Sequence, residues 1–376
     1  MKLTQKIAGV AAALMMTALA PAAFAQDAAK PAQEINFGII STEASQNQKV
    51  NWVPFLEAMT KATGLKINAF YASDYAGVIE AMRFNKVQVA WHGNKSGMEA
   101  VDRADGEVFA QTIGKEGNLG YYSYLITNVD KPFTKLDDVL KCDKSLDFGI
   151  GDPNSTSGFL VPTTYIFAAK GIDPKACFKT VRNANHQANA MATANNQVDV
   201  ATNNSDDLER LEKSNPDARK KIKIIWTSPI IPLDPIVWRK DLDAGAKAKI
   251  QNFILSYGRT GTPDEIVKAK EVLANLNWSP LKPSSNHQLV PIRKLELAKV
   301  KFKVEGDDKL TADDKKAQIA KIDADAAKLA ALEAKLDKDP TIAKYLAFTK
   351  LDPVKDAAEI QKQIAEFNSG LAQMAY

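Results

Sequence analysis

Gly151-Asp152-Pro153-Asn154-Ser155-Thr156-Ser157-Gly158 decides how this chain reads. The octet follows an apolar run at residues 146–151 that reads as a strand. It opens a run at residues 155–170 with helical periodicity. A helix N-terminus presents unpaired N–H groups and the positive end of a dipole. Three consecutive hydroxyls and a glycine at that point permit close approach of an oxyanion. Simple N-capping needs one such residue, and both readings stand at the level of this motif.

Outward from the octet, the alternation continues. Residues 178–183 read as a strand, 186–196 as a helix, 198–202 as a strand and 205–214 as a helix. On the N-terminal side, strands at 35–40, 66–72 and 87–91 alternate with helices carrying Trp52, Phe55, Leu56 and Met59, then Val78 and Met82. Strand–helix–strand order implies parallel sheets covered by helices. Further strands are expected at 107–113, 121–128, 221–227 and 236–239, and helices at 244–257 and 263–277. The fold class is therefore α/β, with two Rossmann-like lobes joined by two crossings near residues 125–130 and 227–232. Lobe 1 is assigned to residues 34–127 and 228–306, lobe 2 to 128–227, and a helical C-terminal extension to 307–376.

The N-terminus reads as an export signal. Lys2 and Lys6 precede an apolar stretch from Ile7 to Leu19, and Ala23-Phe24-Ala25 is a small-x-small cleavage site. Residues 1–25 thus read as a signal peptide, with an apolar run too short to span a bilayer comfortably as a membrane anchor, and residues 26–33 as an Ala-rich linker. Charge is nearly balanced, with 49 Lys+Arg against 45 Asp+Glu. No nucleic-acid footprint appears. The two cysteines, Cys142 and Cys177, each precede a predicted strand. An oxidising compartment permits a disulfide between them, with two free buried thiols as the alternative.

Other chemistry-bearing residues sit where strands hand over to the next element, the place where open α/β lobes bind ligands. Tyr75 follows Ser73-Asp74 at a helix start, and its phenol suits an anion or a packed position with a wet hydroxyl. His186 follows a strand directly. Asp206 stands at a helix start, where a helix-dipole role suffices. Asp234 stands in Pro232-Leu233-Asp234-Pro235, where turn geometry suffices. No catalytic set is visible: three histidines, no CxxC, no lysine-bearing phosphate loop and no GxSxG elbow. In the tail, Ile319, Ile322, Ala326, Leu329, Leu332 and Leu336 form one helical stripe. The stripe suits either a helix folded back on its own lobe or a dimer arm.

Several ordered stretches resemble the periplasmic phosphonate-binding components of ABC transporters. They are residues 36–43, Asp74-Tyr75-Ala76-Gly77, residues 82–87, 151–162, 198–204, 234–240 and 288–293. The resemblance implies the type II periplasmic binding fold, no enzymatic activity, no cofactor or metal, and a membrane permease as partner. It implies that Ser155, Thr156 and Ser157 with Tyr75 cradle phosphonate oxygens. Tyr121 and His186 would line the cleft, and Asp206 and Asp234 would receive an ammonium group. Two carboxylates would repel a simple anion in a desolvated cleft. A zwitterion such as 2-aminoethylphosphonate is therefore expected over phosphite, phosphate or a phosphate ester. An exported hydrolase is the more distant alternative. Two departures stand out. Asp206 occupies a position where the family can carry Glu. His92 replaces an expected aromatic, and is expected to reshape a wall or add charge at low pH.

Overall fold

Strand-forming runs become thirteen strands among residues 33–370, the part of the chain that the computed structural model describes. In chain order they are Glu34–Ile39 (β1), Lys66–Tyr71 (β2), Val89–Trp91 (β3), Gly106–Gly114 (β4), Gly120–Tyr121 (β5), Ser123–Asn128 (β6) and Asp147–Ile150 (β7). They continue with Thr180–Asn183 (β8), Val200–Asn204 (β9), Ile222–Thr227 (β10), Ile231–Pro232 (β11), Pro235–Arg239 (β12) and Trp278–Pro283 (β13). The export signal, most of the linker and residues 371–376 lie outside the described residues.

Two sheets divide these strands. The first runs β13-β4-β12-β3-β1-β2 and the second β10-β6-β9-β7-β8. β1 pairs in parallel with β2 and β3, whereas β12 runs antiparallel to both β3 and β4. In the second sheet β7 is parallel to β8 and β9, and β6 and β10 are antiparallel additions. A ribbon of β5 against β11 lies between the sheets in sequence on both passes. Each sheet is covered by helices, as parallel pairing with helical crossovers requires.

Sheet membership moves one boundary. Residues 121–128 were read as one strand ending lobe 1. The chain breaks at Tyr122, and β6 pairs with β9 and β10 in the second sheet. An apolar run shows that a strand forms but not which edge it joins. The 155–170 stretch is also not a regular helix. Thr156–Leu160 and Thr163–Phe167 are π-helical turns on either side of Val161-Pro162. A proline inside a helix lacks an N–H and its ring crowds the preceding turn, so the backbone widens around it.

Cys142 and Cys177 are joined with an S–S distance of 2.06 Å, at the starting ends of the parallel neighbours β7 and β8. The tail stripe packs within the chain. Ile322 and Leu336 are buried, and helix Ala312–Leu336 lies against helix Val290–Glu305. Beyond it, Tyr345, Phe348, Ile360, Ile364 and Phe367 enter the same core as β1 and β3. The Phe348 ring also lies 4.8 Å from the guanidinium of the buried Arg259.

Candidate functional site

One cavity between the two sheets brings together Tyr75, Tyr121, Ser155, Thr156, Ser157, His186, Asp206 and Asp234. The centre of a water-sized group has about 30 Å³ to move in there. Tyr121 ends β5, and the other seven lie in the loops or first helical turns that follow strands.

Its hydroxyl end is built by the octet. Ser155 Oγ accepts from Gly158 N at 3.0 Å, so this serine does cap the following turn. Thr156 Oγ1 accepts from Lys95 N at 2.8 Å, and Ser157 Oγ accepts from Asn204 Nδ2 at 3.1 Å. A hydroxyl has one proton and two lone pairs. Each hydroxyl thus has one lone pair filled by an N–H donor and keeps its proton to give, and Ser155 and Ser157 Oγ also lie 3.4 Å from His186 Nε2. Gly158 has a different task from the one expected of it. A Cβ on Gly151 would come within 2.6 Å of Gly158 Cα, and one on Gly158 within 3.0 Å of His186 Cε1. The two glycines let backbone approach backbone and let the histidine close over the turn.

His186 is buried, and burial, reinforced by Arg210, lowers its pKa to about 3. The ring is therefore neutral. Asn204 Oδ1 accepts from Asp207 N at 2.7 Å, which fixes the amide so that Nδ2 faces His186 Nε2 at 3.1 Å. Nε2 is thus an acceptor and the ring proton sits on Nδ1.

Asp234 and Asp206 form the acidic end. Trp52, Trp91 and Trp278 make an edge-and-tilt cluster with ring centroids 5.2–6.0 Å apart. Trp91 Nε1 donates to Asp234 Oδ2 at 3.1 Å. Backbone bonds between Asp234 and Thr112 hold the loop on β4. Asp234 Oδ1 is buried without a hydrogen-bond partner in the protein. Burial first, and the Asp206 charge second, push the Asp234 carboxyl well above the usual carboxylate range. Burial likewise raises Asp206 to about 6, partly offset by Arg210. Asp206 Oδ1 receives one long hydrogen bond, 3.4 Å, from Ser205 Oγ. Such a pair favours a cation, because a positive charge restores both carboxylates to their ionised form.

Sequence reasoning missed several lining residues. Arg210 lies one helical turn after Asp206 and pairs with Asp207 at 3.6 Å. The i,i+4 spacing to a candidate acid was the available signal. Asn204 lay inside a quoted family stretch without being singled out. Trp91, Trp278, Thr42 and Gly93 also line the cavity, and nothing local marks Trp278. His92 neither reshapes the wall nor adds charge. It is fully buried outside the cavity lining, burial lowers its pKa to about 3, and its Nδ1 contacts Ser96 Oγ at 3.2 Å. Among the described residues no group of three or more His, Cys, Asp or Glu is placed to hold a metal ion.

The segments carrying the two sheets meet directly around this cavity. Besides Lys95 N to Thr156, Tyr75 N donates to Asp152 Oδ2 at 3.1 Å and Ala44 N to Gln187 Oε1 at 3.0 Å. Asn277 Nδ2 donates to Asp206 O at 3.2 Å. Two helix-covered sheets, crossed twice by the chain and closed over a polar cavity, define a solute-binding protein of the type II periplasmic class. The chain belongs to the phosphonate-binding periplasmic family: residues 37–289 match the model of the ABC transporter phosphonate periplasmic substrate-binding protein. It is 52% identical over 310 residues to the phosphonates-binding periplasmic protein of Escherichia coli K12, covering 82% of this chain and 88% of that one. A binding-protein component of an ABC phosphonate transporter from Pseudomonas aeruginosa superposes with a TM-score of 0.79 at 49% identity, covering 82% of this chain and all of that one. A Prochlorococcus marinus protein solved with methylphosphonate shares the fold, with a TM-score of 0.61 at 19% identity over 70% of this chain and 97% of its own. The chain is accordingly a transporter's substrate-binding component and not an enzyme.

Proposed function

We propose that the chain captures 2-aminoethylphosphonate between its lobes for delivery to a membrane permease. The observation that carries this reading is the buried, unpartnered Asp234 Oδ1 sharing one small cavity with three donating hydroxyls. The phosphonate sits on Ser155, Thr156 and Ser157 with Tyr75 and Tyr121. The ammonium sits between Asp234 and Asp206. Phosphite, phosphate and methylphosphonate share the first set of contacts and leave the second unpaired, at the cost of two carboxylates facing an anion.

Residues 1–25 act in this account as a cleaved export leader. The two crossings, at residues 114–123 and 227–235, act as the hinge. Tyr75 and Asp234 reach the ligand from the first lobe, and Ser155–Ser157, His186 and Asp206 from the second. A ligand touching both favours the closed arrangement through those differential contacts. The burial of Ile322 and Leu336 within the chain supports the folded-back tail over a dimer arm.

Calorimetry of ligand-stripped protein tests the assignment. 2-Aminoethylphosphonate is expected to bind about ten- to a hundred-fold more tightly than methylphosphonate, from a charge-assisted contact of roughly 1.5–3 kcal/mol. Equal affinities would sink it.

A further inference from the structure

The wall at the acidic end of the cavity is one residue thick. On its far side lies an open groove of about 560 Å³. Adjacent residues alternate across the wall. Tyr121 faces the cavity and Tyr122 the groove, and Asp234 faces the cavity and Leu233 the groove. Asp206 lines both spaces. Its carboxylate is tethered on the protein side by the single 3.4 Å bond from Ser205. The groove offers apolar surface from Leu119 and Ile230, both exposed, and mixed charge from Glu116, Glu209 and Glu212 with Lys115 and Lys213. The Tyr124 phenol also feels the charges of Asp206 and Glu209, which places all three together. The hydroxyl end has no such outlet: Ser155, Thr156, Ser157, His186 and Tyr75 are each at most 3% exposed.

We infer that the protein also takes N-alkylated aminoalkylphosphonates, with the alkyl group passing beside Asp206 into this groove. The inference rests on the ligand assignment proposed above. A primary ammonium has three N–H bonds. Asp234 Oδ1 takes one and Asp206 a second, and the third points along the wall toward the groove. A secondary ammonium keeps the two N–H bonds that the acids need and spends the third position on carbon. A quaternary ammonium has no N–H left and leaves both carboxylates without a hydrogen bond.

Calorimetry on the ligand-stripped full protein distinguishes these cases with five probes. They are 2-aminoethylphosphonate, its N-methyl and N-propyl derivatives, its N,N,N-trimethyl derivative and its phosphonate O-methyl ester. The N-methyl and N-propyl compounds should bind within about tenfold of the parent. The trimethyl compound should fall by at least about tenfold, because two charge-assisted hydrogen bonds are lost. The O-methyl ester should fall by at least about a hundredfold, because it crowds a sealed, fully hydrogen-bonded end. Leu119→Trp, at an exposed and uncharged position in the groove, should weaken the N-propyl compound at least fivefold and leave the parent unchanged. If the parent itself does not bind, the ligand assignment fails. If the parent binds but N-propyl falls as far as the O-methyl ester, or Leu119→Trp leaves N-propyl binding untouched, the groove has no part in recognition and this inference is overturned.

Discussion

The two ends of the cavity are built on opposite plans. The hydroxyl end is contiguous: Ser155, Thr156 and Ser157 are consecutive, neutral, and held by backbone and amide donors. The acidic end is assembled from residues far apart in sequence, Trp91, Asp206, Arg210, Asp234 and Trp278, and it works through full charges. Neutral dipoles prearranged toward an oxyanion lose little when a ligand leaves. Buried carboxylates without a cation are costly, and both Asp206 and Asp234 respond by holding their protons more tightly. On the proposed reading, the hydroxyl end supplies what all candidate ligands share, and the acidic end supplies discrimination.

The largest expected effect tests that division. Asp234→Asn removes one charge from the acidic end while keeping shape and the Trp91 contact. Affinity for 2-aminoethylphosphonate should fall by about 2–5 kcal/mol, the range for truncating one partner of a desolvated charge pair. Methylphosphonate should bind about equally well, because it brings no cation for Asp234 to meet and the buried acid holds its proton tightly without one. Calorimetry with both ligands reads the result. A parallel loss for the two would show that Asp234 shapes the loop and does not read the amine.

Next in size is a change that should leave the comparison untouched. Replacing Cys142 and Cys177 together by Ala opens a link across 35 residues of sequence in the second lobe. A bridge of that span typically contributes about 2–4 kcal/mol of stability. Denaturant midpoints should drop accordingly, while the ratio of the two affinities stays constant. A changed ratio would mean that the bridge positions Asp206 or the hydroxyls and is not a remote staple.

Thr156→Val addresses the other end. It removes the hydroxyl and leaves Lys95 N without its acceptor, so a loss of about 1–3 kcal/mol is expected for every phosphonate alike. Because the Lys95 bond joins the segments that carry the two sheets, small-angle scattering at saturating ligand should also show less compaction than in the wild type. A loss confined to amino-bearing ligands would place the two ends of the ligand the other way round.

The contrast also explains what the sequence revealed. The octet was legible because strand, turn and hydroxyls lie in one window, and the α/β alternation because helix and strand periods are local. Tyr75, His186, Asp206 and Asp234 were found as residues next to strand ends, with family likeness assigning their roles. Arg210 was missed although its four-residue spacing from Asp206 was in view. Trp278 was not findable, because it joins Trp52 and Trp91 only once β13 has paired with β4. The assignment of β6 to the second sheet failed for the same reason, since pairing partners are a property of the folded sheet. The π-helical turns flank Pro162, a proline inside the run that reads as one helix.

The smallest expected effect concerns protons, and it separates the ends most cleanly. Asp206 has its pKa raised to about 6, and Asp234 is raised further in direction by burial and by Asp206 itself. A carboxyl with a raised folded-state pKa favours the folded, unliganded protein at low pH, and that contribution is lost as pH rises through the folded value. An ammonium ion reverses the sign, because it stabilises the ionised carboxylates. The part of that benefit that rests on Asp206 should therefore be full above about pH 7 and shrink below 6. At pH 5 protonation of Asp206 alone should cut the advantage of 2-aminoethylphosphonate over methylphosphonate roughly tenfold. The ammonium lowers the second pKa of its own phosphonate, so each affinity is first corrected for that ligand's separately titrated ionisation, and the corrected ratio then reports the protein's acids. His186 and His92, held neutral with pKa values of about 3, contribute no step in this window. Calorimetry in buffers of different ionisation enthalpy gives a second reading. At pH 6 the amino ligand should release more protons on binding than methylphosphonate does, after each ligand's own ionisation is subtracted, because the ammonium displaces protons from Asp206. Equal proton release for the two ligands, together with a ratio that does not change between pH 5 and 7, would mean that the carboxylates are ionised whether or not a cation is present. The acidic end would then be as prearranged as the hydroxyl end, and the contrast between them would fail.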